Sequence, residues 1–509
     1  MPGDAKGGRQ AGLAPLRADA ARLGKARKPA ARGNGGSGQS GDFAITLALI
    51  LLYVGAQITL AVWAGRGARS DADYLVAGRK LGTFAVGMSL FATWFASESL
   101  IATSSEVARD GLAGARAEPF AYAIGILAIA LFFAYRLRSG GFITLADFLK
   151  DRFGPRTESL AAIVIALSAT TWSAAQLFAF ASIIVSASGL TFTPALIGAT
   201  LLVMSYTLFG GLAGDVVTDI VEGLIILAAI IVLFVLMAVA AGGLPAMWAA
   251  MPPTVWTFTA PGETWVDRVE LWLIPIIGTM VSQEALARTL GAHSPEVARK
   301  GAFLGAAVYL CAGLVPVSFG LFGPQLGLPL AEGEGYLPSL AKALLPGWLL
   351  IIFTGALVSA ILSSVDSALL AVSAVVTASG YKRLKPNASP LALLRAARMA
   401  TCGAAMVAAW LAMQGESLRN LVLDAGAIAA VLAVPIIAGL AGVRASERAA
   451  VAAIVVQIAV LGVLDYGLGL SGAFLWMLAS GIATFAAMAA LERRKTASEG
   501  GAGGGLEGV

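Results

Sequence analysis

Between Ile351 and Ser379 the chain reads IIFTGALVSAILSSVDSALLAVSAVVTAS, apolar for long enough to cross a bilayer. Its middle carries Ser359, Ser363, Ser364, Asp366 and Ser367. At helical spacing Ser363, Asp366 and Ser367 share a face, with Ser359 one turn away and Ser364 beside them. A carboxylate at that depth is costly unless a partner or an ion neutralises it. Clustered hard oxygens are what a small cation accepts in place of its water. The stretch reads as an ion-holding helix.

Two further apolar stretches carry acids. Residues 81–106, LGTFAVGMSLFATWFASESLIATSSE, are interrupted by Gly82, Gly87 and a small, polar centre at 96–99, with Glu98 inside. A broken membrane helix frees backbone carbonyls for a cation. The alternative is a helix packed through small residues, with Glu98 satisfied by a neighbour. Residues 206–223, YTLFGGLAGDVVTDIVEG, hold Asp215, Asp219 and Glu222. Asp215 and Glu222 read as helix-start carboxylates favoured by the macrodipole. Asp219, deeper, needs a pair or an ion. Glu284 and Asp424 read as structural.

The elements that must position these residues are membrane spans. The 509 residues are 58% hydrophobic and 13% charged, outside the range of soluble chains of this length. About 13 apolar segments follow a polar, Gly-, Ala-, Lys- and Arg-rich region at 1–42 that reads as a disordered tail. They lie near 43–65, 81–106, 118–137, 158–188, 192–209, 214–241, 270–290, 301–323, 344–379, 394–413, 420–442, 448–467 and 470–491. The transmembrane domain thus covers 43–495, and 496–509 forms a flexible tail. Leu145–Phe153 reads as a short interfacial helix. The long loop 242–269, with Trp248, Trp256 and Trp265 among prolines, has an interfacial aromatic pattern.

Basic residues crowd alternate loops, including Arg66, Arg69, Arg136, Arg138, Lys150, Arg152, Arg288, Arg299, Lys300, Lys382 and Arg383. The other set holds little beyond Arg109, Arg116, Arg268, Lys342 and Arg419. By the positive-inside rule the N-terminus is outside and the C-terminus cytoplasmic, in a cell inner (plasma) membrane. The net charge of +5 belongs to those loops and gives no sign of a nucleic-acid partner. Cys311 and Cys402 both fall in apolar spans and read as packing residues. The single histidine, His293, argues against a zinc or haem site. No phosphate loop, zinc-protease helix or nucleophile elbow is present, so an ATP-driven pump or a membrane hydrolase has no support, and the chain does not read as an enzyme.

Three stretches in order resemble the sodium:solute symporter family: DADYLVAGRKLGTFAVGMSL at 71–90, YTLFGGLAGDVVTDIVEGLI at 206–225 and SAILSSVDSALL at 359–370. The resemblance covers about residues 43–495. It implies an all-α polytopic membrane protein with a five-helix inverted-repeat (LeuT-like) core and a broken first core helix. It also implies a main sodium site between residues 81–106 and 344–379. Its ligands would be the carbonyls of Ala92, Phe95 and Ala360 and the hydroxyls of Ser363 and Ser364. Five uncharged oxygens suit an exchangeable Na+ rather than a divalent metal.

A second cation position of some relatives maps to Ser363, Asp219, Asp366 and Ser367. Asp366 stands where those relatives often carry a hydroxyl. It implies a second sodium, a carried proton, or an ion pair with a cytoplasmic-side arginine. The substrate cavity maps to Trp94, Phe95, Glu98, Ser99, Glu118 and Tyr309, amphipathic and acidic; the structural alternative is aromatic packing of the bundle. Ser99, Tyr309 and Gly278 stand where sugar carriers place amide and Lys side chains and an aromatic gate, so sugar recognition is not expected, although Glu118 falls where those carriers place an acid. A small zwitterion or cation such as a proline-like amino acid fits better than a free carboxylate. The expectation is therefore sodium-coupled symport of a small organic solute by alternating access. The rivals are a proton-coupled carrier on the same fold and a symporter-like membrane sensor; no obligate protein partner is expected.

Overall fold

Serine and threonine at aqueous helix ends start many of the elements. Ser294 and Ser389 each precede a proline and accept the N–H of the residue three further on, Val297 and Ala392, at 3.3 Å. Thr144 with Asp147 and Thr264 with Asp267 close capping boxes. Beyond these caps the sequence is apolar, and helix follows.

The computed structural model describes residues 75–502 except 332–334 and 416, together with 52, 55–57, 59–60 and 63–64. The expected tail 1–42, most of the expected span 43–65, Arg66, Arg69 and residues 503–509 lie outside the described residues. Helix α1 is Thr83–Trp94, followed by α2 at 98–110 and α3 at 116–139, then α4, Leu145–Arg152. The long α5, Pro155–Ser188, leads to α6, Phe192–Ser205, and α7, Gly211–Ala240. Gly211 takes φ 56°, ψ −177° at the turn between the last two, a conformation that favours glycine.

After the long loop come α8, Trp265–Met280, α9, Gln283–Leu290, and α10, Pro295–Phe322. The second half holds α11, Tyr336–Leu344, α12, Gly347–Val375, and α13, Pro390–Gln414. The bent pair α14, Leu418–Ala430, and α15, Ala433–Leu440, follows, with 46° between its members. The last are α16, Glu447–Leu461, and α17, Ala473–Ala502.

Among the described residues nine helices are long and apolar enough to cross a membrane, or ten if the bent pair is one span. The difference from the expected 13 has definite causes. The run Glu98–Ser139 joins the end of segment 81–106 to segment 118–137, the remainder Thr83–Trp94 and the helix Phe192–Ser205 are too short to count alone, and most of 43–65 is not described. Large apolar side chains such as Leu201, Val239, Met399 and Trp410 are exposed on the outer faces, which only lipid can cover. Cys311 joins this outer face rather than the packed interior, and Cys402 is half-buried.

The core sits where α1, α5, α7, α10 and α12 pack together. Helix α12 is buried continuously from Ala356 to Val375, as an apolar helix surrounded by others must be. An isolated bridge between Leu81 and Ala292 fastens the start of α1 to the end of α9. The interfacial helix α4 forms as expected, burying Leu145, Ala146, Phe148 and Leu149.

Candidate functional site at the broken helix

Helix α1 stops because Phe95 leaves helical geometry, at φ −86° and ψ 67°, and helix resumes only at Glu98. The expected interruptions at Gly82 and Gly87 are not breaks. Gly82 caps the start of α1. Gly87 lies inside it, where an added Cβ would stand 2.8 Å from the Leu304 side chain. Close packing, not unwinding, is what Gly87 provides.

The break faces the middle of α12. Ser364 Oγ lies 2.7 Å from the Thr93 carbonyl and 3.2 Å from the Ala360 carbonyl, donating across the helix gap. Ser364 thus meets the end of α1 through Thr93 rather than the neighbouring Ala92 or Phe95, while the Ala360 carbonyl is bonded to Ser364 within α12. Ser363 turns the other way and donates to Asp219 Oδ1 at 2.5 Å.

Asp219 is the centre of a second polar group. Its Oδ2 accepts from Ser89 at 2.5 Å and from Arg288 Nη2 at 3.2 Å, with Thr93 Oγ1 at 3.5 Å. The same Nη2 donates to Asp215 at 2.5 Å and contacts the Ser367 hydroxyl. Arg288 Nε reaches Ser89 at 3.2 Å, and Nη1 reaches the Glu284 carbonyl at 3.2 Å. Ser367 donates to the Ser363 carbonyl at 2.6 Å, and its backbone N–H to Asp366 Oδ1 at 2.8 Å.

Two readings change here. Asp215, four residues into α7, is more than a helix-start carboxylate; it is 2% exposed and paired inside the bundle. Arg288 is no loop cation either, being 1% exposed. The charged, polar stretch 282–289 looked like a helix end, but a break at 281–282 turns it into the buried helix α9. Asp215, Asp219, Glu222 and Asp366 are all buried, with Arg288 as the guanidinium paired to the first two. Neither carboxylate oxygen of Glu222 has a hydrogen-bond partner.

A third group surrounds the resumed helix. Glu98 Oε2 accepts from Gln176 at 2.9 Å and from Ser97 at 3.3 Å. Glu118 Oε2 accepts from Ser99 at 3.1 Å and from the Tyr309 hydroxyl, while Ser99 and Tyr309 lie 3.1 Å apart. Trp94 stacks on Trp172, centroids 5.3 Å apart and planes at 17°, and its Nε1 donates to Thr279 at 3.0 Å. Phe95 and Tyr309 meet edge-on at 5.8 Å. The residues mapped to the cavity, Trp94, Phe95, Glu98, Ser99, Glu118 and Tyr309, therefore come together. Gln176, Trp172 and Thr279 complete the group from α5 and α8; lying in apolar runs, they gave no signal in the sequence.

Beside Trp94, Trp172 and Tyr122 lies a cavity of about 20 Å³, walled also by Thr279, Ser282 and Glu284. That is room for about one water. Its far wall is backbone: a Cβ on Gly278 would stand 2.8 Å from Gly426 Cα.

The family model for the sodium:solute symporter family matches residues 74–456. The chain belongs to the sodium:solute symporter family. It is accordingly a multi-pass membrane protein of a transporter family, not an enzyme, with the five-helix inverted-repeat fold. Against the High-affinity choline transporter 1 of Drosophila melanogaster it is 24% identical over 412 residues, 75% of this chain and 64% of that one. The match thus spans less than two thirds of that relative. The Sodium/glucose cotransporter of Vibrio parahaemolyticus is 25% identical over 407 residues, 72% and 74% of the two chains. Among solved structures, the substrate-bound outward-open state of a Na+-coupled sialic acid symporter superposes with a TM-score of 0.74 at 20% identity. It covers 88% of this chain and 98% of that one.

Proposed function

We propose that this family member couples the sodium gradient to uptake of a small organic solute bearing a positive charge, a proline-like amino acid or another small zwitterion or cation. One observation carries the reading. Residues 93–99 serve two groups at once: the Thr93 carbonyl accepts from Ser364 of α12, while Trp94 walls the cavity and Glu98 and Ser99 belong to the acidic group beside it. An ion bound on one side of the break therefore fixes the backbone that shapes the other. Coupling is then a difference in affinity between conformations. The sodium and choline carriers among the relatives support the ion and the solute charge.

The sodium ligands in this reading are the carbonyls of Ala92, Phe95 and Ala360 and the hydroxyls of Ser363 and Ser364. Asp219, Asp366 and Ser367 form a second cation position, at which the Arg288 guanidinium is the resident competitor. The N-terminus is outside, the C-terminus cytoplasmic, and the membrane the cell inner (plasma) membrane. Ser364→Ala removes an oxygen from the sodium set and raises the sodium concentration for half-maximal uptake in proteoliposomes by roughly tenfold, the scale of one hydrogen bond or ligand to a charge. Sodium dependence unchanged by Ser364→Ala refutes the assignment.

A proton-coupled version of the same cycle has one observation in its favour. Glu222 is fully buried with neither oxygen hydrogen-bonded, which an ionised carboxylate tolerates poorly. Solute uptake driven by a pH gradient in sodium-free buffer selects this version.

A further inference from the structure

Helix α13 presents an outward stripe of Leu391, Met399, Met406 and Trp410, all more than half exposed. At helical spacing these residues share one face, which only lipid can cover. Arg395 stands on that face between Leu391 and Met399 and is itself exposed. Among the described residues no hydrogen bond or ion pair engages it. Arg398, the other cation of the helix, is half-buried and donates to the Leu208 carbonyl at 3.1 Å.

Arg395 also walls a groove of about 630 Å³ between the segment that follows α12 and the start of α13. Val376, Leu391 and Met399 give this groove an apolar lining, and Tyr381 and Ser389 add hydroxyls. The Lys385 ammonium lies 5.6 Å from the centre of the Tyr381 ring. Arg383 is turned away, donating to the Pro155 carbonyl at 3.2 Å and to Ser159. No acid lines the groove, and from Ser367 to Gly415 the chain has five basic residues and no acid.

A cation on a lipid-facing helix settles at the phosphate layer, its stem laid along apolar surface. Arg395 is placed for that, roughly 7 Å along the axis from the polar start of α13. A soluble anion would leave Val376, Leu391 and Met399 uncovered, whereas a phospholipid covers them and supplies the anion. A zwitterionic headgroup brings its own cation to a groove without an acid. We infer that the groove binds an anionic phospholipid, its phosphate on Arg395 and Lys385 and its acyl chain along Leu391 and Met399. This end of the bundle is the one read as cytoplasmic, where anionic headgroups concentrate.

The test is native mass spectrometry of the purified, delipidated full chain with phosphatidylglycerol and phosphatidylcholine of identical acyl chains. Phosphatidylglycerol is expected to bind roughly 25-fold tighter, about fivefold for each of the two cations. Arg395→Gln and Lys385→Gln each remove about fivefold of that preference. Lys300→Gln, at an exposed cation on α10, leaves it unchanged. Thermal unfolding checks each variant, and Lys385, exposed in a loop, carries the test if Arg395→Gln misfolds. Equal binding of the two lipids overturns the inference, as does a preference that survives both variants or falls as far in Lys300→Gln. Glycerol 1-phosphate in excess is expected not to compete. Displacement of the lipid by it assigns the groove to a soluble phosphate and overturns the inference. A wild-type dimer that Arg395→Gln splits assigns the face to a second copy, with the same result.

Discussion

Arg288 holds its charge inside the bundle by engaging all three guanidinium nitrogens, on Asp215, Asp219, Ser89, Ser367 and the Glu284 carbonyl. Removing one partner of such a pair strands the other charge, at a cost of about 3–5 kcal/mol. Arg288→Gln alone is therefore expected to destabilise by about that amount, and Asp215→Asn in the same chain to recover part of the loss. Thermal unfolding of the two single variants and the double variant measures the coupling, and strictly additive losses contradict it. At this scale the sequence was informative about hydroxyls and acids, because polar atoms in apolar runs stand out. Ser363, Ser364, Asp219, Glu98 and Glu118 were all legible. Arg288 was not, because a basic residue beside polar neighbours looks the same in a loop as in a buried helix. Only the tertiary fold decides where such a segment goes.

The helices themselves were legible from apolar runs and from caps such as Ser294–Pro295 and Ser389–Pro390, and the broken span was expected near residues 96–99. The position of its interruption was less so. Gly82 and Gly87 suggested breaks, yet helix geometry fails at Phe95, a residue with no such preference, where Ser364 donates to the freed Thr93 carbonyl. Gly87 serves packing instead, and Gly82 caps the helix start. Gly278 and Gly426 let α8 and α14 touch backbone to backbone beside the cavity. Gly278→Ala is expected to cost about 1–3 kcal/mol of stability by overpacking. Calorimetric solute binding is expected to weaken further than stability does, since the added methyl stands in the cavity wall. Unchanged binding means that the cavity is not where the solute sits.

Two groups of ion pairs among the described residues join helices on either side of the break. One is the Arg288 cluster near the start of α1. The other lies at the far end of α2, where Glu106 pairs with Arg419 of α14 at 3.0 Å, and Arg116 with Glu263 of the long loop at 2.5 Å. The central cavity beside Trp94 and Trp172 has room for about one water. The Glu106–Arg419 pair is partly exposed, at 16% and 37%, so its contribution is about 1 kcal/mol or less. Reversal to Arg419→Glu is expected to shift the open population at that end by roughly fivefold. Adding Glu106→Arg restores the balance. The rate at which an impermeant thiol reagent labels Ser168→Cys, in a chain lacking Cys311 and Cys402, reads the shift. Equal labelling in all three chains means that the pair takes no part in opening. None of these pairings was legible from sequence, because partners such as Glu106 and Arg419 lie in different spans and only packing brings them together.

The parallel indoles of Trp94 and Trp172 have a further consequence. Two aromatic chromophores at 5.3 Å and 17° couple their electronic transitions, so the pair has an optical signature that neither ring has alone. Trp94 ends α1 at the break, Trp172 stands on α5, and both wall the small cavity. In the proposed reading a solute seated in that cavity moves the rings apart and dissolves the coupling. The ultraviolet circular dichroism of the unlabelled protein, referenced to Trp172→Phe, is therefore a built-in gauge of whether its centre is filled or empty.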